Sequence, residues 1–253
     1  NEARTLLPLN GGGAIRAGGS VETVDALFFD NSSSIDGGAI WAGYGVSVRS
    51  SEFTSNTSGA NGGAIWSDED ISVTDGSVFS QNIANADEGV GLGQGGAIYA
   101  SGASISVRTS TFSGNEARES GTFGADAVTF ASGGALFAEN LFGGGSVTAV
   151  ASTFAYNVAE DDGGAISSDA DLTAENSTFV GNDAEGDGGA IWTCKNDLLC
   201  SSVARLKNAT FVGNSAGSFG NIYWANDLYV QDTIFSGGSC RQPLRIWPFP
   251  PTR

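Results

Sequence analysis

The chain has 253 residues, 38 of them glycine, with 40% hydrophobic residues and a formal charge of −17 from 28 acids against 11 bases. That apolar content supports a packed core and excludes a disordered polymer. The acidity excludes nucleic-acid binding, which needs clustered Lys and Arg to neutralise phosphates, and disfavours anionic lipid. No His is present, which removes the commonest general base and metal ligand at neutral pH.

Residues 1–10 lack the basic-then-apolar pattern of a signal segment, and the chain carries no Met. A processed or excised chain is therefore expected, its targeting segment already gone. No run approaches the roughly 18 consecutive apolar residues of a membrane span, so no transmembrane segment is expected.

From residue 11 onward one motif keeps returning. It reads GGGAI at 11–15, GGAIW at 37–41 and 62–66, GGAIY at 95–99, GGALF at 133–137, GGAIS at 163–167, GGAIW at 188–192 and GNIYW at 220–224. A second motif, Phe-x-x-Asn, alternates with it at Phe28/Asn31, Phe53/Asn56, Phe79/Asn82, Phe112/Asn115, Phe154/Asn157, Phe179/Asn182 and Phe211/Asn214. An eighth copy at Phe235 has Gly238 in place of Asn. In five of the seven complete units the next glycine pair, or its first glycine, falls six residues after the Asn. Short β-like patches such as VSV at 46–48 and ISV at 71–73 fill the rest, and no helical i, i+3, i+4 stripe appears.

Fixed periods of this size predict a solenoid. The expectation is an all-β, right-handed parallel β-helix over residues 1–239, with three strands per coil and about eight coils, followed by a proline-rich tail at 240–253. Glycine pairs suit corners that need φ > 0 and close stacking of coils. The Ile and Phe columns should point inward. Asn31, Asn56, Asn82, Asn115, Asn157, Asn182 and Asn214 should form a buried amide ladder.

At these motifs the sequence resembles the repeats of the polymorphic outer-membrane proteins of chlamydial autotransporters, whose paired signatures are GGA(I/L/V) and FxxN. The resemblance spans residues 11–239 and implies a secreted or surface-displayed passenger, often adhesive. The sequence departs from that pattern in having no barrel segment and in ending RQPLRIWPFPPTR.

The candidate sites follow from alternation. If each Ile points inward, its neighbour points outward, giving an exposed file of Trp41, Trp66, Tyr99, Phe137, Trp192 and Trp224, interrupted at Ser167. Such a file suits a protein or glycan partner, possibly within a larger assembly, and burial under loops or a neighbouring chain is the plain alternative. Asp161, Asp162, Glu185 and Asp187 gather before two glycine pairs and form the one candidate Ca²⁺ site; no other cofactor is implied, and a solvated acidic turn is the favoured explanation because the spacing does not match the nonapeptide calcium repeat. Cys194 and Cys200 are spaced for a loop disulfide, which points to an oxidising compartment, and Cys240 is left over. Asn176 and Asn208 lie in N-x-S/T sequons at turns, as exposed glycosylation acceptors, whereas the sequons at Asn31 and Asn56 fall in the ladder.

No catalytic residue is assigned. No column pairs a base with acids, although parallel β-helices also host polysaccharide lyases and hydrolases. A file of outward Thr residues (Thr111, Thr153, Thr178, Thr210) admits an ice-binding surface as a weaker alternative, but Thr is favoured in strands generally. The joints enlarged between Asn82 and Gly95 and between Asn115 and Gly133 occur at the same corner of successive coils, where a solenoid carries its contacts. The expected function is that of an extracellular or cell-surface structural and adhesive protein.

Overall fold

The computed structural model describes residues 2–3, 11–86, 92–119, 130–139, 145–193, 202–224 and 227–240. Every strand pairs in parallel with its equivalent one coil away, and the described residues contain no helix. This is the parallel β-helix that the repeat predicts.

The coil from Ile65 to Ala86 shows the unit. It contains Ile65–Ser67, Ile71–Thr74, Val78–Ser80 and Ile83–Ala86. Stacking these across coils gives a tryptophan sheet (Ile15–Ala17 to Ile222–Trp224), a valine sheet (Val21–Val24 to Asp227–Gln231) and a phenylalanine sheet (Leu27–Phe29 to Ile234–Ser236), of eight strands each. A nine-stranded asparagine sheet runs from Glu2–Ala3 to Ser239–Cys240. The expected three strands per coil are therefore four. The residue before each ladder Asn adopts positive φ, 57° at Ser55 and 55° at Gln81, which turns the chain sharply after the Phe strand. The short segment after the Asn then forms its own ladder, with Ile83 N–H donating to the Asn56 carbonyl at 2.9 Å.

The interior is built from columns. Ile40, Ile65, Ile98, Leu136, Ile166 and Ile191 are fully buried, with Ile15 and Ile222 at the ends. Phe28, Phe53, Phe79, Phe112, Phe154, Phe179, Phe211 and Phe235 stack face over face with centroids 4.5 to 5.1 Å apart. Strand spacing sets that distance, and each buried ring removes a large apolar area from water.

The asparagine ladder is continuous from Asn31 to Asn214. Each Nδ2 donates to Oδ1 of the Asn in the following coil at 2.8 to 2.9 Å. From Asn56 onward, each Nδ2 also donates to the Phe carbonyl of the preceding coil, as Asn157 does to Phe112 at 3.1 Å. Each receiving Oδ1 takes a second bond from the backbone N–H of the Asn before it. The buried amides are thereby saturated, as their burial demands.

The two glycines of a pair do different jobs. Gly62 has φ +64°, which other residues rarely adopt. A Cβ on Gly63 would stand 2.0 Å from the Gly96 carbonyl oxygen, so the second glycine is required by the closeness of the next coil. Cys240 still belongs to the solenoid, paired with Ala216, whereas the proline-rich tail from Arg241 lies outside the described residues.

Candidate functional site: the tryptophan face

Eight positions one step beyond the inward aliphatics fall in register: Arg16, Trp41, Trp66, Tyr99, Phe137, Ser167, Trp192 and Tyr223. Two differ from the sequence reading. Tyr223, not Trp224, occupies the last position, because Ile222 pairs with Ile191 and Trp224 falls opposite Thr193. The final copy keeps register through its aliphatic residue, with Phe219 at the place of the first glycine and φ 53°. Arg16 heads the file, its guanidinium 4.8 Å above the Trp41 ring. The signal for it was the IRA at 15–17, aligned with IWA.

The rings form three stacked pairs: Trp41–Trp66 at 5.0 Å, Tyr99–Phe137 at 5.5 Å and Trp192–Tyr223 at 6.1 Å. The file is not the open platform that alternation alone predicts. Tyr99, Phe137 and Trp192 are each only 4% exposed, and Trp41 and Trp66 are half-buried. Beside the middle of the file lie the described stems of the enlarged joints. Gly93 N–H donates to the Phe130 carbonyl at 3.1 Å, and Gln94, Phe130 and Ser132 stand next to Phe137. The two stems therefore run side by side here. Tyr99 donates its hydroxyl to Glu139 Oε2 at 2.7 Å. Burial, with that bond and the Glu139 charge, drives the phenol far above its ordinary pKa.

The acids before the glycine pairs belong to a second ladder. Asp36 Oδ1 accepts from Asn61 N–H at 3.0 Å, Asn61 Oδ1 from Gln94 N–H at 3.1 Å, Ser132 Oγ from Asp162 N–H at 3.4 Å, and Asp162 Oδ1 from Asp187 N–H at 2.8 Å. Asp162 thus caps the backbone of the next coil. Among the described residues no three His, Cys, Asp or Glu side chains converge as metal ligands, so Asp161, Asp162, Glu185 and Asp187 do not form a ligand set. The sequence signal for this ladder was the short polar residue before almost every glycine pair.

Ser167 opens a gap. A half-open cavity of about 170 Å³ lies there, lined by Phe137, Trp192, Ser167, Asp162, Asp169, Gln94, Phe130 and Ser132. Ser167 is fully buried and its hydroxyl has no hydrogen-bond partner.

Elsewhere, three bases of the valine sheet face acids of the preceding coil: Arg49 with Glu22 at 3.7 Å, Arg205 with Asp171 at 3.8 Å and Lys207 with Glu175 at 3.0 Å. These are exposed pairs of little energetic weight. Asn176 and Asn208 are exposed at positive-φ corners, and Asn208 Nδ2 donates to Asn176 Oδ1 at 3.2 Å, whereas Asn31 and Asn56 are buried. Thr111, Thr153, Thr178 and Thr210 stand in one column, continued by Val78 and Glu52. Cys194 and Cys200 lie outside the described residues; Cys240 is exposed and free.

Fold and register together define a parallel β-helix repeat protein. Compared with known families, the chain matches the Chlamydia polymorphic membrane protein repeat over residues 25–43, 50–68, 76–101 and 176–194. Each matched segment carries one Phe strand, one ladder Asn and one glycine-pair strand, so these coils are similar to repeats of that type. Comparison with curated proteins and with solved structures returned no match.

Proposed function

We propose that this chain is a non-catalytic, surface-displayed β-helix whose tryptophan face binds a protein or glycan partner. The observation that carries the reading is the Trp41–Trp66 stack, half-buried and in register at the end of the file away from the enlarged joints. Paired indoles presented on an acidic rod supply the rigid apolar anchor that interfaces concentrate. The repeat type, named for membrane proteins, supports an outer-membrane or cell-surface setting. No helix among the described residues is long and apolar enough to cross a membrane.

The test is the Trp41→Ser/Trp66→Ser variant on a glycan array and a panel of extracellular protein domains. The file already tolerates Ser167 and Arg16, so the variant should stay folded while binding is lost. Unchanged binding would remove the tryptophan face from the account. A parallel assay for unsaturated uronic-acid products addresses the rival, a polysaccharide-active enzyme, and turnover of any uronan would overturn the non-catalytic reading.

A further inference from the structure

The file has no ring at Ser167. Phe137 lies one coil to one side of that layer and Trp192 one coil to the other, so the two side chains are separated by about twice the ~4.8 Å strand spacing. One strand step is the distance at which this molecule stacks flat rings. The interior phenylalanines stand 4.5 to 5.1 Å apart with planes within 15° of each other, and Phe137 stands 5.5 Å from Tyr99. The layer at Ser167 therefore has the thickness of one flat ring, with Phe137 and Trp192 as its two faces.

Size and polarity narrow the guest further. The cavity of about 170 Å³ compares with the roughly 150 Å³ that accommodates a single benzene ring. A pyranose chair, with axial hydrogens or hydroxyls on its faces, is thicker than the rings that define this spacing. Asp162 and Asp169 also line the cavity, but both already interact within the protein, so they call for no charge on the guest. Ser167 is different. It occupies the place from which a ring of the file would spring, and so it closes the inner end of the layer. Its hydroxyl is fully buried and has no hydrogen-bond partner. A buried hydroxyl left unpaired is costly, and a guest that bonds to it recovers that cost. The guest that meets both demands is a flat ring with a hydroxyl at its leading edge. Tyrosine has that form: its hydroxyl sits opposite the point of attachment, and it either donates to or accepts from a serine. Phenylalanine fills the layer but leaves Ser167 unpaired.

We propose that the Ser167 slot is a binding site for the phenol ring of a tyrosine side chain presented by a protein partner, inserted between Phe137 and Trp192 with its hydroxyl on Ser167. This rests on the reading of the tryptophan face as a contact surface, and it assigns the slot a task separate from the Trp41–Trp66 pair.

The experiment titrates the folded chain with N-acetyl-tyrosine amide, following saturation-transfer NMR of the aromatic protons, with N-acetyl-phenylalanine amide and N-acetylglucosamine as comparisons. The tyrosine compound should bind at least about fivefold more tightly than the phenylalanine compound, the difference being one hydrogen bond to a buried partner. Because the guest is neutral, its affinity should change little as sodium chloride rises. Ser167→Phe completes the file and should abolish binding without lowering the melting temperature. Ser167→Ala keeps the slot open and removes the unpaired hydroxyl, so it should bind the two amino-acid amides about equally; it serves as the readout if the Phe variant fails to fold. Absence of tyrosine binding, equal binding of the phenylalanine compound by the parent, preferential binding of the sugar, undiminished binding in Ser167→Phe, or a tyrosine preference that survives in Ser167→Ala would each overturn the assignment. Trp41→Ser/Trp66→Ser should keep tyrosine binding. Loss of partner binding in that variant together with a slot that takes no tyrosine would leave the face intact as an interface and refute the slot alone.

Discussion

Asn214 Nδ2 donates to Asn221 Oδ1 at 3.1 Å, so the last rung of the buried ladder is made by a residue from the bend that leads into the tryptophan sheet. The eighth Phe-x-x-Asn copy has Gly238 at the ladder position, and a Cβ there would lie 2.1 Å from Asn221 Nδ2. Two departures from the repeat, Gly for Asn and Asn for Ala, therefore compensate one another in space. Asn221→Ala should cost about 1–2 kcal/mol by leaving the Asn214 amide short of an acceptor. Gly238→Asn alone should also destabilise, by collision. The double variant restores the ordinary motif and should recover much of the loss, which chemical denaturation of all four proteins would show as a favourable coupling energy.

Inside the ladder the stakes are higher. Asn157→Ala or Asn182→Ala removes four bonds and strands buried partners on both sides, for an expected loss of about 1–3 kcal/mol each. Melting curves matching the parent would mean that water takes the place of the amide.

The repeat glycines should divide by cause. Gly63→Ala pushes a methyl into the carbonyl of the next coil and should prevent folding or lower stability severely. Gly213→Ala meets no atom within 4 Å and carries only the strain of φ +61°, so a loss of about 1 kcal/mol is expected. Equal effects in thermal melts would contradict this division.

Burial raises the Asp36 carboxyl above its ordinary value of 3.8, although its bonds with Asn61 pull the other way. A group that binds its proton more tightly when folded adds stability as pH falls through the folded value and withdraws it as pH rises. Asp36→Asn keeps an acceptor for Asn61 N–H, as Asn61 itself provides to Gln94. The variant should be more stable than the parent at neutral pH, with the gain shrinking in acid. A gain independent of pH would assign the effect to packing instead.

Columns were legible because every coil repeats the same constraint. Phe79 and Asn82 read the same way as Phe154 and Asn157, and both stack as expected. The fourth sheet was not legible, because positive φ at Ser55, Gln81 and Tyr156 is set by the corner and has no common residue type. Exposure of the tryptophan file was misjudged for a related reason. Strand alternation says which way Tyr99 and Phe137 point, but not that the stems at Gln94 and Phe130 fold back beside them. Trp224 was placed one position late because the glycine pair that marks register elsewhere is Phe219–Gly220 in the last copy. The acids at 161–187 looked like a cation site because their backbone partners sit one coil away in space and 25 residues away in sequence.

Along the asparagine column the bonds between side-chain amides all run one way, from Nδ2 of one coil to Oδ1 of the next. The carboxamide dipoles therefore add head to tail, as peptide dipoles do along a helix. The column is consequently polar along this line, with its amide oxygens turned toward the Asn31 side and its amide hydrogens toward Asn214. Asn221 takes up that last hydrogen from within the same chain. What reads in the sequence as a degenerate repeat thus satisfies the polar column from within the chain.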